Sequence, residues 1–307
     1  MAGDLSTYFY ATQFYPGNTT AFSVVLASKD HKKLSKLVEQ GHLELALPSH
    51  LQNCISSLAS SGTTFFKQSR RTKAALYPSS HGTESGYYNV DGEKEFLTLR
   101  CAPSKSPSDL ERQAKIVWSL AATYLYRILC DVSAALDIST DVWSPLLDGC
   151  RSMPEGPDLD TTIPTVLRIF HYEPDQGTAA PHTDIGLLTL CVGDGPGLQV
   201  WNRRGGSEGE WVDVAAPTLL VGDTLRVLSS TRCVSGLHRV VGNPRGRESI
   251  AFALRPSLRH EIDLGLLGGD GRVGSAELYT TIRDRKSNVN ARRDGSASVK
   301  GSDRVES

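Results

Sequence analysis

The sequence predicts an α+β fold, with a helix-rich first half followed by an antiparallel sandwich or jelly roll. In the first half, apolar residues recur at steps of three and four, which is the spacing of an amphipathic helix. After Asp160 the chain breaks into short apolar or β-branched runs that are separated by Gly, Pro, Asp and Asn. Helices and strands do not alternate along the chain, so parallel βαβ units are not expected.

The longest predicted helix covers residues 108–136 and is expected to pack behind a sheet. Pro107 precedes it, and Ser108 with Glu111 forms a capping box, in which each side chain bonds a free backbone N–H at the helix start. Two shorter helices are predicted before it, one from an N-cap at Asp30 to Gly41 and one around residues 51–58. A single apolar stripe runs along the long helix and consists of Leu110, Ala114, Val117, Ala121, Tyr124, Ile128 and Val132.

The second half contains eight predicted strands. They cover residues 165–172, 183–192, 198–202, 211–215, 219–221, 225–228, 237–241 and 249–254. We expect one domain over residues 1–307, made of a helix-rich part (about 1–160), a jelly-roll core (about 161–257) and a C-terminal segment (258–307). The tail beyond about Arg285 is rich in charge, Ser and Gly and is expected to be flexible.

Composition narrows the classes of partner. The formal net charge is -1 and Lys and Arg are spread along the chain, so no basic surface for nucleic acid is expected. No apolar run is long enough for a bilayer span, and residues 1–15 do not have the pattern of a secretion signal. The six cysteines form no CxxC pair, which favours free thiols in a reducing compartment. These features predict a cytoplasmic protein without a nucleic-acid or membrane partner, and they make no prediction of oligomeric state.

His182 and Asp184 are the first candidate site residues. On a strand, residues two apart point to the same side, so this imidazole and this carboxylate would face one point. His238 lies on a later predicted strand beside Gly236, whose small size would leave room for a metal. Two histidines and one carboxylate on one face of a metal are typical of non-haem Fe(II) oxygenases, although the same ligands also suit zinc.

Arg247 and Ser249 form a second candidate group, nine to eleven residues after His238. They share one face of the last strong predicted strand, and Ala251 and Ala253 continue that face. An arginine that points into a barrel requires an anion, because an unpaired buried charge is costly. A guanidinium fits a carboxylate in bidentate fashion and a hydroxyl adds a hydrogen bond, so a dicarboxylic cosubstrate that also chelates the metal fits this pattern.

The motifs in the second half resemble the isopenicillin N synthase-like branch of the Fe(II)/2-oxoglutarate dioxygenase superfamily. The first half matches more loosely, so that the resemblance extends over about residues 30–285. The matching segments are 167–174 (LRIFHYEP), 182–190 (HTDIGLLTL), 197–201 (GLQVW), 221–223 (VGD), 235–240 (SGLHRV) and 247–249 (RES).

The resemblance implies a distorted double-stranded β-helix with the long helix behind it. It also implies that His182, Asp184 and His238 bind Fe(II), that Arg247 and Ser249 hold the distal carboxylate of 2-oxoglutarate, and that Tyr172 reaches the same oxoacid. O₂ would be the second cosubstrate, and ascorbate would help activity in vitro. The expected reaction is hydroxylation, desaturation or rearrangement of a small organic metabolite, in specialised metabolism. Apolar residues near the triad, such as Ile185, Leu188 and Val240, favour a largely apolar substrate.

Three alternatives stay open at this point. An oxidase of the same fold needs no oxoacid if its substrate carboxylate occupies the Arg247 site. A metal-binding jelly roll without catalysis and a zinc hydrolase use the same ligands.

Asp223 is expected to be a turn residue, and His171 is expected to face away from Tyr172. The other histidines are expected at the surface or in loops, namely His31, His42, His50, His81 and His260.

Overall fold

The computed structural model describes residues 31–80, 82–102, 107–156, 159–204 and 208–286. Its helices are α1 His31–Gln40, α2 Ser49–Phe66, α3 Arg70–Leu76, α4 Asp109–Leu136, α5 Trp143–Leu146, α6 Asp223–Leu228 and α7 Ser275–Asp284. Its strands are β1 His42–Glu44, β2 Gly86–Val90, β3 Lys94–Leu99, β4 Val166–Tyr172, β5 Ala179–His182, β6 Leu188–Gly193, β7 Leu198–Asn202, β8 Glu210–Asp213, β9 Thr218–Val221, β10 His238–Val240, β11 Arg247–Leu254, β12 Glu261–Asp263 and β13 Arg272–Gly274.

The strands form two sheets of the jelly roll and one separate pair. The larger sheet has the order β1-β9-β6-β11-β4-β3-β2, and the smaller one has the order β5-β10-β7-β8. Neighbouring strands in both sheets are antiparallel. Strands β12 and β13 pair with each other near the C-terminal end of the described chain. The predicted α+β jelly roll is therefore confirmed.

Helix α4 packs behind the larger sheet, as the apolar stripe predicts. Trp118 of α4 is fully buried and meets Phe252 of β11 edge to face, with ring centroids 5.3 Å apart. Its indole N–H donates to the backbone carbonyl of Cys150 at 2.9 Å. The predicted capping box is present, since the Ser108 side chain accepts from the backbone N–H of Glu111 and the Glu111 side chain accepts from that of Ser108. Local capping and tertiary packing thus favour the same helix.

The inner faces of the two sheets enclose a smaller apolar cluster. Alternation along β4 sends Leu167 and Ile169 outward to the helices, whereas Phe170 and Tyr172 point inward. Leu198, Val200 and Val240 of the smaller sheet join the inward group. The large outer cluster combines residues from 37 to 267, so the helix-rich part and the jelly roll bury their apolar surfaces against each other.

Three strands in the first half are absent from the sequence prediction. Strand β1 pairs with β9, and the hairpin of β2 and β3 extends the larger sheet beyond β4. β1 and β3 pair with strands far away in sequence, β9 and β4, and β2 pairs with β3 within the hairpin, so periodicity within these short strands does not identify them. The helix-rich character of the first half is nevertheless retained, because α1 to α5 all lie before residue 147.

Two predicted strands are wrong in detail. The predicted strand 183–192 begins too early, because residues 183–187 form the loop between β5, which ends at His182, and β6, which begins at Leu188. The predicted strand 225–228 lies within helix α6, where Leu225 and Leu228 are three residues apart and buried on one face. A short apolar run has no reliable period of its own, so tertiary contacts decide between strand and helix.

Two further expectations need correction. His42 is not at the surface, since it is 5% exposed on β1, and burial together with Lys36 lowers its pKa to about 4. Gly236 does not leave room for a metal, because a Cβ there would lie 2.4 Å from the carbonyl oxygen of Gly41.

Asp30, His81 and the tail beyond residue 286 lie outside the described residues. Among the described helices, none combines the length and apolar character that a bilayer span requires.

We expect Ser108→Ala to lower the free energy of unfolding by about 1 kcal/mol, because it removes the oxygen that caps α4. Urea denaturation measures the change. Ser57→Ala is the matched control, since Ser57 is exposed within α2 and Ala is the better helix former there. An equal loss of stability in both variants would contradict the capping role.

Candidate metal centre and anion site

His182, Asp184 and His238 come together inside the jelly roll. His182 is the last residue of β5, and its Cα partner across the antiparallel pair is His238 on β10. The two imidazole rings lie 4.1 Å apart between centroids. Asp184 follows in the loop after β5, not on a strand as the sequence predicts. One ligand atom from each of the three residues lies within 4.8 Å of the others, which is a spacing that a single metal ion can bridge.

Backbone carbonyls orient both histidine rings. His182 Nδ1 lies 2.7 Å from the carbonyl oxygen of Ala180, and His238 Nδ1 lies 2.9 Å from that of Gly236. A carbonyl oxygen can only accept, so Nδ1 carries the proton in both rings and donates it. The lone pair of each Nε2 is therefore free for a metal, which is the usual arrangement of metal-bound histidine.

The protonation states of the triad suit a divalent cation. Burial lowers the pKa of His182 to about 4, and the neighbouring His238 ring adds to this effect. Burial alone would raise the pKa of Asp184, but His238 and His182 outweigh it and hold that pKa at about 2. At neutral pH the triad thus contains a neutral His182 and an ionised Asp184. Two imidazole nitrogens and one carboxylate fit a ferrous ion and leave open positions on it.

The loop that carries Asp184 is bonded to a half-buried ionic junction around Asp223. The backbone N–H of Asp223 donates to the carbonyl oxygen of Asp184 at 2.8 Å. The Asp223 carboxylate accepts from Thr183 Oγ1 at 3.0 Å and from the Ser235 hydroxyl. Lys286 Nζ lies 2.5 Å from Asp223 Oδ2 and donates to Thr183 Oγ1 at 2.7 Å. Asp223 is therefore more than a turn residue, since it connects both segments that carry the candidate ligands to Lys286, just beyond the end of α7.

Arg247 begins β11 and is 7% exposed. One guanidinium N–H donates to the carbonyl oxygen of Gly195, whereas Nε has no partner among the described residues. The guanidinium packs directly on Gly193, where an added Cβ would lie 2.1 Å from Arg247 Nη2. Tyr172 is the Cα partner of Arg247 on β4, and Ser249 pairs with Gly193 on β6. The predicted anion-binding residues are thus neighbours across three strands.

One cavity of about 70 Å³ joins the two groups, since the triad and the residues Tyr172, Arg247 and Ser249 all line it. Sequence analysis missed the roles of Gly193 and Lys286 and assigned Asp223 only to a turn, because their contacts depend on tertiary structure. It also missed two cavity-lining arginines, Arg168 and Arg255. Arg168 and Arg255 lie at two-residue steps from the inward residues of β4 and β11. This spacing is the signal that could have identified them. His171 faces the other side of β4, where it lies near Glu248, as predicted.

Comparison with known proteins identifies the family. The model of the 2OG-Fe(II) oxygenase superfamily matches residues 164–256. The 2-oxoglutarate-dependent dioxygenase iboH of Amanita muscaria is 34% identical over 146 residues, which are 43% of this chain and 68% of that protein. Oxidoreductase vrtI of Penicillium aethiopicum is 35% identical over 125 residues, but these are 38% of this chain and only 29% of vrtI. This chain thus spans less than a third of the length of vrtI.

A solved structure agrees at the level of the fold. Neurospora crassa T7H in complex with alpha-KG superposes with a TM-score of 0.65 at 17% identity, and the match covers 85% of this chain and 94% of T7H. At this identity the match shows the jelly-roll fold. The family model, together with a relative matched over two thirds of its length, shows that this chain belongs to the 2OG-Fe(II) oxygenase superfamily.

Proposed function

We propose that this chain is an Fe(II)- and 2-oxoglutarate-dependent dioxygenase that oxidises a small organic metabolite. The observation that carries the proposal is the convergence of the His182, Asp184 and His238 ligand atoms within 4.8 Å, in the cavity that buried Arg247 also lines. Members of this family use Fe(II), 2-oxoglutarate and O₂. A metal-binding module without catalysis would not need the second, cationic group.

In this proposal the triad supplies three ligands, which are Nε2 of both histidines and the Asp184 carboxylate. The iron, when bound, supplies the activation of O₂ that is coupled to conversion of 2-oxoglutarate into succinate and CO₂. The protein contributes orientation, because the bonds from each Nδ1 to a backbone carbonyl determine the direction of each ring. The junction at Asp223 holds the loop in place. Asp184 is therefore already in position before the metal binds.

Arg247, Ser249 and Tyr172 would bind the distal carboxylate of the oxoacid. Arg247 has an unpartnered Nε among the described residues, and a buried guanidinium gains most from a carboxylate. Burial raises the pKa of Tyr172, so its phenol keeps its proton and can donate a hydrogen bond. The apolar walls formed by Phe170, Leu198 and Val240 exclude water around the substrate.

The finer parts of the proposal concern the reaction and its place in the cell. Hydroxylation, desaturation, ring closure and ring expansion are all compatible with the same site. Specialised metabolism and a cytoplasmic location stay predictions. A screen of candidate metabolites with Fe(II), ascorbate and 2-oxoglutarate tests the proposal, with succinate release and mass spectrometry of the products as readouts. An absence of succinate with every metabolite would argue against it.

We expect His182→Ala and His238→Ala to abolish succinate formation and iron binding while the fold is retained, because each removes a ligand that no neighbour replaces. His260→Ala is the matched control, since His260 is partly exposed and lies beside Asp148, away from the site. Metal analysis after anaerobic purification and a comparison of Fe(II) with Zn(II) complete the test. Activity with Zn(II) alone would favour a hydrolase.

We expect Arg247→Ala to raise the KM for 2-oxoglutarate by about 30-fold or more, because loss of one partner of a buried ion pair costs about 2 kcal/mol or more. Arg245→Ala is the matched control, since Arg245 is close in sequence but exposed. Oxygen uptake with and without 2-oxoglutarate separates the dioxygenase from an oxidase of the same fold. Equal rates without the oxoacid would favour the oxidase.

We expect Asp223→Asn to weaken Fe(II) binding by about 10- to 100-fold, as is typical when a group that orients metal ligands is lost. The amide keeps the shape but loses the charge that pairs with Lys286. Asp213→Asn on exposed β8 is the control. Titration of Fe(II) under nitrogen measures the affinity, and wild-type affinity in Asp223→Asn would contradict a positioning role.

A further inference from the structure

Two arginines line the cavity at a distance from Arg247. The inward residues of β11 continue past the end of the strand to Arg255, which lies eight residues, or about 27 Å of extended strand, from Arg247. Arg168 on β4 is the Cα partner of Ala251, between these two ends. The sheet therefore presents cationic groups to the cavity at two separate places, only one of which the oxoacid would occupy.

A single carboxylate holds both of these arginines. Arg168 Nη2 lies 2.5 Å from Glu84 Oε1, and Arg255 Nη1 pairs with Glu84 Oε2. A third arginine, Arg100, lies beside them and donates to the carbonyl oxygens of Thr83 and Ile163, at 2.8 and 2.6 Å. We call Arg100, Arg168 and Arg255 with Glu84 the arginine cluster.

Positive charge is in excess in the arginine cluster. The cluster has three guanidinium groups, and within the described ranges Glu84 is the one carboxylate that forms ion pairs with any of them, namely with Arg168 and Arg255. Arg100 and Arg255 are 6% and 4% exposed, so water screens them poorly. The nearby Asp184 does not restore the balance, because in the proposed site its charge serves the metal.

Hydrogen-bonding capacity is also left over. Nε of Arg100 and Nε of Arg255 are buried and have no partner in the described part of the chain. Arg168 uses Nε for Thr98 and Nη2 for Glu84, while Arg255 directs Nη1 to Glu84, Pro164 and Tyr279. In a purely structural ion pair, one carboxylate would neutralise the charge of one arginine, because an unpaired buried charge destabilises the fold.

We propose that the arginine cluster binds an anionic group of the substrate, and that the substrate of this enzyme is a carboxylate with an apolar body. A carboxylate matches the planar guanidinium groups of Arg168 and Arg255 in geometry and compensates their charge. The apolar body would lie against Val166, Phe170 and Ala253, which line the same cavity. This inference rests on the proposed function and names the substrate class of that site.

The test uses the full chain loaded with Fe(II) and saturating 2-oxoglutarate under nitrogen, so that the Arg247 site is filled and no turnover occurs. The probes are benzoate, phenylacetate, cinnamate and octanoate, each with its neutral amide. Calorimetry measures their dissociation constants. We expect at least one carboxylate to bind about ten-fold or more tightly than its amide, which is the effect of hydrogen bonds to a charged group. If no carboxylate exceeds its amide, the proposal is wrong.

Two variants with opposite expected effects separate ligand binding from a structural role. Arg168→Met should remove the preference for the carboxylate, whereas Glu84→Gln should increase it a few-fold, because it removes the internal competitor. A structural ion-pair network would lower stability in both variants and leave the ratio of carboxylate to amide affinity unchanged. That result would overturn the proposal, and circular dichroism confirms that each variant is folded.

Two further measurements separate anion binding by the arginine cluster from oxoacid binding at Arg247. In Arg247→Ala the preference for the carboxylate should persist, because the arginine cluster is intact; its loss would assign the anion site to Arg247 instead. Separate titrations of Fe(II) and 2-oxoglutarate test the proposed function. If both bind but the carboxylate preference is absent, the substrate class is wrong and the dioxygenase assignment stands. If neither binds, the assignment fails whatever the probes do.

Discussion

The pairing of β5 with β10 is the constraint on which the rest of the site depends. Because His182 and His238 are directly opposite each other in an antiparallel pair, their side chains emerge on the same side of the smaller sheet. Each ring then bonds the carbonyl oxygen two residues before it in sequence. The backbone carbonyls thus determine the direction of both Nε2 atoms. Neither histidine needs a second side chain to orient its ring.

The third candidate ligand, Asp184, lies beyond the end of β5, in a loop whose backbone groups are not paired by a sheet. A loop inside a barrel needs partners for its backbone groups. The start of α6 provides them, since Asp223 and Thr224 donate to the carbonyl oxygens of Asp184 and Ile185. Lys286, more than a hundred residues later in sequence, binds the same loop at Thr183. The position of Asp184 therefore depends on elements distributed over the second half of the chain.

Charged side chains lie at both ends of the inner face of the larger sheet. Small side chains occupy the middle of β11, while arginines occupy the positions at and just beyond its ends. Gly193 allows the guanidinium of Arg247 to lie flat against β6, where any side chain would displace it. At the other end, Glu84 reaches in from a turn with a positive φ of 61° and holds two arginines at once. This face therefore carries charge at both ends and mostly small side chains between them.

The sequence by itself determined the features whose physical cause is local. Helix α4 and its cap follow from bonds within four residues, and the inward direction of Arg247 and Ser249 follows from strand alternation. Only the tertiary structure decided that residues 225–228 form a helix, that Asp184 lies in a loop and that His42 is buried. It alone brought Glu84 to Arg255, 171 residues away, and Lys286 to Thr183. Such contacts join groups that are distant in sequence, so no local period or motif encodes them, and they depend on the complete packing of the two sheets and their helices.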